Sequence, residues 1–177
     1  MSCHILITGK RGSGKSTLLN QIIETLHFDY VGYRTEVYQN VKIGSTYQLV
    51  DVKTKESLPI SYYDGLCIQG IPQTFSTLGV KCLTNALKAP EDYVILDELG
   101  RFERHNQDFI DCVNALLSSQ KTVLAILKDE PIAYLEDIKK RKDCLLYDLN
   151  KQSYEDVFQA IILELKKEGR KDESKIY

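Results

Sequence analysis

Residues 9–16, GKRGSGKS, constrain this chain more than any other stretch. They match GxxxxGK[ST] in full and stand in the context that pattern needs. CHILIT, Cys3 to Thr8, is a short apolar run that reads as a buried strand. After Lys15, Leu18, Leu19, Ile22, Ile23 and Leu26 fall at helical spacing. A strand, a glycine-rich turn and a helix, in that order, aim backbone N–H groups and the positive helix end at a phosphate. Gly9, Gly12 and Gly14 let the turn close, with Lys10, Arg11, Ser13 and Thr17 completing the cradle. Lys15 is read as reaching the β- and γ-phosphate oxygens, and Ser16 as offering its hydroxyl to Mg²⁺.

A second stretch, YVILDELG at 93–100, runs an apolar strand into two adjacent carboxylates. In phosphate-loop proteins an acid at the end of another apolar strand supports the metal, and Asp97 fits that role, largely through a water ligand. Glu98 then has no metal duty and is free to orient and deprotonate an attacking water. The competing reading makes Glu98 a strand-end cap or ion-pair partner. Where a glutamate serves this chemistry, one strand lies between the loop strand and the acidic strand. TVLAILK at 122–128 is the candidate, which brings Lys128 near the γ-phosphate; an ordinary solvated lysine is the alternative. Arg34, Arg101 and Arg104 are candidates for stabilising phosphate charge, and each is equally compatible with a structural ion pair.

The remaining elements suit one α/β domain over residues 1–167, followed by a charged, frayed tail at 168–177. YVGYRTEVY and STYQLVDV read as strands of a hairpin inserted after the first helix and carried through about Tyr63. Residues 64–77 have no clear period and read as a loop, and Leu78 to Lys88 as a helix stopped by Pro90. Helical periodicity returns around 109–117, 132–140 and 157–165, alternating with apolar strands at 122–127 and 144–149. That alternation argues for a mainly parallel sheet with helices on both faces. Six of the eleven tyrosines lie between Tyr30 and Tyr63, where cross-strand packing is favoured over stacking on a base.

Composition removes several classes. A net charge of −2 offers no basic field for nucleic acid, so nucleic acid is not the expected partner. Five cysteines without a CxxC pair fit reduced thiols in the cytoplasm and exclude a disulfide frame. Ile5 to Ile7 is too short an apolar run for a signal peptide or membrane span. His4, His27 and His105 are scattered and make no ligand set.

TGKRGSGKSTLL, GYRTEVY and VILDELGRFERHNQDFIDCV together resemble the cancer-related nucleoside-triphosphatase (THEP-type) family. Its motifs run TGxxGxGKTTL, GFxTxE and VIDEIGxMExxSxxFxxxV. Gly32, Thr35 and Glu36 fall on the second; Asp97, Glu98, Gly100, Glu103, Phe109 and Val113 fall on the third. The resemblance covers roughly residues 3 to 167. It implies a RecA-like phosphate-loop fold with a β insertion, and Mg²⁺-dependent hydrolysis of nucleoside triphosphates with little base preference. The chain departs from the pattern at IGSTYQL, at Lys128 where the family often has histidine, and at Gln152-Ser153 where it has Asn-Arg. The resulting expectation is a hydrolase acting on ATP, GTP, CTP and UTP, with no partner protein indicated. A small nucleotide or nucleoside kinase and a nucleotide-timed switch are the alternatives.

Overall fold

A computed structural model describes residues 3–40 and 44–173. Seven strands form the main sheet in the order β4-β3-β2-β7-β8-β1-β9. β1 (His4–Thr8) lies between β8 (Thr122–Leu127) and β9 (Cys144–Asp148), parallel to both. β7 (Tyr93–Leu99) pairs in parallel with β8 on one side and with β2 (Tyr30–Asn40) on the other. The strand between the phosphate-loop strand and the acidic strand is therefore β8, as expected. β3 (Gly44–Asp51) and β4 (Ser57–Pro59) extend the sheet antiparallel from β2.

The central strands are apolar on both faces because helices cover both. On one face α1 (Lys15–Leu26) and α6 (Tyr154–Glu173) pack Leu18, Leu19, Ile22, Val157 and Ile161 against Ile5, Ile7 and Ile126. On the other, α3 (Val80–Lys88), α4 (Gln107–Leu117) and α5 (Ala133–Lys139) pack Leu83, Phe109, Val113 and Leu135 against Leu6, Leu96 and Ala125. α4 starts at Asn106, whose Oδ1 accepts from the Phe109 N–H at 3.1 Å, and Asp108 in its first turn favours the helix dipole.

One sequence expectation needs correction. The segment 64–77 is not a plain loop. β5 (Ser61–Tyr63) and β6 (Ile68–Gly70) form a separate two-stranded sheet, followed by a single turn α2 (Pro72–Thr74) and a π-helical stretch Phe75–Gly79 that runs into α3. Three-residue strands and a π turn leave neither a period of two nor one of 3.6, so the sequence carries no signal for them. The inserted hairpin is β2 and β3, antiparallel from Tyr33↔Asp51 to Asn40↔Gly44, and the first half of β2 also pairs with β7 in the parallel sheet. Gly32 makes that pairing possible: its φ is 109°, and a Cβ there would sit 2.1 Å from the Ile95 carbonyl oxygen. Only a residue without a side chain lets the two strands approach this closely. Among the tyrosines, Tyr33 is fully buried against Phe109, whereas Tyr38, Tyr62 and Tyr63 are exposed. The last helix reaches Glu173, inside the segment read as a tail, and residues 174–177 lie outside the described residues. No helix among the described residues is long and apolar enough to cross a membrane.

Candidate active site

β1 ends at Thr8, and the chain turns through Gly9–Gly14 into α1. Gly12 (φ 79°) and Gly14 (φ 92°) take left-handed backbone conformations, and Gly14 caps the helix without a side-chain bond. The first N–H groups of α1 therefore face an open end. Lys15 folds back over the loop, its Nζ donating to the Gly9 carbonyl at 2.7 Å and the Lys10 carbonyl at 3.1 Å. Partial burial lowers its pKa, and the nearby Glu98 charge opposes that shift. The Ser13 hydroxyl is buried with no hydrogen-bond partner among the described residues. A buried hydroxyl without a partner beside a lysine amine suits a loop built to receive an anion. The Lys10 N–H donates to Asn150 Oδ1 at 3.0 Å, and Asn150 Nδ2 donates to Asp129 at 2.8 Å, so the β9–α6 turn braces the loop from outside. Arg11 and Thr17 are exposed.

β8 separates β1 from β7, yet the end of β7 reaches the loop. Ser16 Oγ donates to Asp97 Oδ1 at 3.5 Å. Asp97 is 5% exposed, and burial is the largest influence on its carboxyl, pushing its pKa up to about 6. Arg34 on β2, 3.7 Å away, opposes that rise, while the neighbouring Glu98 adds to it. Arg34 is thus an ion-pair partner of Asp97, aligned by the register Arg34↔Asp97. Ser16 and Asp97 are two oxygen donors on converging elements and suit a hard divalent cation that keeps several waters. No group of three or more His, Cys, Asp or Glu able to hold a metal occurs among the described residues.

Glu98 is held by its backbone on both sides. Its N–H donates to Thr35 Oγ1 at 3.1 Å, and its carbonyl accepts from the Tyr33 hydroxyl at 3.2 Å. The Asp97–Glu98 peptide bond is cis, and the β7–β8 register shifts between Asp97 and Leu99. The Glu98 side chain is one-quarter exposed and accepts from Lys128 Nζ at 3.0 Å. Lys128 enters from the end of β8, where its N–H donates to the Leu99 carbonyl at 2.8 Å.

Asp97, Glu98, Lys15, Ser16, Lys128 and Arg34 therefore lie together at one end of the sheet. Arg101 and Arg104 do not join them. Arg101 pairs with Glu130 at 3.9 Å, and Arg104 turns to the Arg101 carbonyl and to His105. Sequence reasoning gave no role to Tyr33, Asn150 or Glu103. Glu103 is 2% exposed; its carboxylate accepts from the Gly100 N–H and, at 2.6 Å, from the Tyr134 hydroxyl. Burial raises its pKa. The position of Glu103 in the third motif was the available signal; Asn150 and Tyr33 had none.

A phosphate loop at the end of a parallel strand, with a buried aspartate and a partly exposed glutamate two strands away, defines the class of phosphate-loop nucleotide-handling domains. The chain matches the model of the family described as NTPase over residues 4–162, and it belongs to that family of nucleoside-triphosphatases. It is 29% identical over 167 residues to nucleoside-triphosphatase THEP1 of Thermotoga maritima, covering 92% of this chain and 95% of that one. It is 30% identical over 186 residues to the human cancer-related nucleoside-triphosphatase, covering 92% and 96%. The solved structure of THEP1 from Aquifex aeolicus superposes with a TM-score of 0.70 at 22% identity, covering 89% and 96%. The human solution structure gives 0.71 at 23%, covering 94% and 98%, and both support the same fold.

Proposed function

We propose that this chain hydrolyses nucleoside triphosphates to diphosphates in a Mg²⁺-dependent reaction, with broad acceptance of ATP, GTP, CTP and UTP. The observation that carries the reading is Glu98: a partly exposed carboxylate, fixed through its backbone by Tyr33 and Thr35, next to the Ser16–Asp97 pair. The loop N–H groups and Lys15 bind the β- and γ-phosphates, and Lys15 exchanges its two carbonyl acceptors for phosphate oxygens. Ser16 and Asp97 would hold Mg²⁺, which would supply positive charge to neutralise that developing on the phosphate oxygens. Arg34 keeps Asp97 oriented. Glu98 accepts the proton of the attacking water, and Lys128 sets the direction of that carboxylate and adds positive charge beside the reacting group. Broad base acceptance rests on where these contacts fall, since all of them address phosphate.

Glu98→Gln tests the assignment. The variant keeps size and a hydrogen-bonding oxygen but loses the base. It should bind Mg²⁺-ATP with Kd changed by less than about tenfold, roughly 1.4 kcal/mol. Single-turnover hydrolysis should fall by about 10²-fold or more. Wild-type hydrolysis in the variant would make Glu98 structural.

A further inference from the structure

A cavity of about 580 Å³ lies between β6 and the segment that leaves β7. It is lined by Ile68, Gly70 and Pro72 from the β6 side, and by Phe102, Arg104 and His105 from the segment after β7, which also contributes Arg101 and Asp108. None of the phosphate-loop residues lines it. β6 belongs to the separate two-stranded sheet, and the other wall follows directly on β7, the strand that carries Asp97 and Glu98. The cavity's volume lies in the range used by small-molecule sites.

The walls are held in place before any ligand arrives. Glu103, buried, ties the segment to Gly100 and Tyr134. Asn106 donates to the Glu103 carbonyl at 2.8 Å and, through Nδ2, to the Pro72 carbonyl at 3.2 Å, joining the two sides. The Phe102 ring lies on Gly70, where a Cβ would come within 2.6 Å of it. The Arg101 guanidinium stacks 5.4 Å from the centre of that ring. Arg104 has no carboxylate within ion-pair distance among the described residues; it donates to the Arg101 carbonyl at 3.0 Å and to His105 Nε2 at 3.1 Å. Arg101 shares its charge with Glu130 at 3.9 Å, so it is Arg104, a guanidinium without a carboxylate beside an imidazole, that favours an anion over Asp108. The Phe102 ring with its stacked arginine favours a planar group.

We propose that this cavity binds a second small molecule while the phosphate loop holds a triphosphate: a planar heteroaromatic ring carrying a phosphate group, of the nucleoside monophosphate class. The proposal rests on the triphosphate's assignment to the loop, which leaves this cavity unclaimed. The test saturates the protein with Mg²⁺ and an ATP analogue whose β–γ bridge is an imido group, then titrates AMP, GMP, adenosine or inorganic phosphate by calorimetry. One further equivalent of monophosphate should bind, with adenosine and phosphate each roughly tenfold weaker because each meets only part of the site. Arg104 and His105 are both exposed, so the double variant R104A/H105A should fold normally. It should lose roughly tenfold in monophosphate affinity and keep its affinity for the analogue. The proposal is overturned if neither monophosphate binds at millimolar concentration, if phosphate alone binds as tightly, or if the double variant binds undiminished. Failure of the analogue itself to bind would instead remove the loop assignment, and the wild type and double variant compared without analogue would still decide the cavity.

Discussion

Asp97→Asn should make the nucleotide-free protein more stable. The wild-type carboxyl is 5% exposed, and its pKa is pushed up to about 6 from 3.8, chiefly by burial. A raised folded-state pKa means the folded protein holds this proton more tightly than the unfolded chain does. Stability from this group is therefore full below about pH 4 and declines as pH rises through 6. The gap of about two pH units corresponds to about 3 kcal/mol. Asparagine carries no charge to desolvate and keeps an oxygen for the Ser16 hydroxyl. At pH 8 in EDTA, thermal unfolding of the variant should lie about 6–12 °C above the wild type. The difference should shrink through pH 6 and vanish near pH 4. Saturating Mg²⁺-nucleotide should reverse the order, because ligand binding stabilises only the protein that retains the metal-binding carboxylate. Melting curves at pH 4, 6 and 8, with and without nucleotide, contain the whole test. An Asn variant no more stable than wild type at pH 8, or with an advantage independent of pH, would refute the reasoning.

Lys15→Ala should abolish tight triphosphate binding, read by fluorescent-nucleotide titration, whereas Ser16→Ala should mainly raise the Mg²⁺ concentration needed for turnover. Across ATP, GTP, CTP and UTP, kcat/KM should vary within about two orders of magnitude, about 3 kcal/mol, in a phosphate-release assay; a stronger preference would reveal base contacts beyond those described. Gly32→Ala should cost about 3 kcal/mol or more in denaturant unfolding, because its Cβ would meet the Ile95 carbonyl and its φ is left-handed.

The parts of the molecule legible in the sequence were those whose determinants are adjacent in the chain. The phosphate loop is eight consecutive residues, and the stripes of α1 and α4 repeat every three or four positions. Asp97 and Glu98 were legible because an apolar strand delivers them. The contacts that hold these groups are not local: Thr35 fixes Glu98 from another strand, Asn150 braces Lys10 from the far end of the chain, and Tyr134 anchors Glu103. A hydroxyl or amide that finds its partner only through tertiary packing leaves no periodic trace. The same holds for the cavity beside β6, whose walls come from a strand too short to show alternation and from a loop.

The main sheet ends on its insertion side with β4, three residues closing at Pro59. Proline has no N–H to offer, and the Pro59 carbonyl already accepts from the Thr74 hydroxyl at 2.6 Å. A stray strand from a crowded or partly unfolded neighbour would find little to pair with there. Leu58 on β4 and Leu146 on β9 are equally exposed, so it is the proline beside Leu58 that leaves β9 the more open rail for strand addition. A lysine in place of Leu146 is the change that would blunt it.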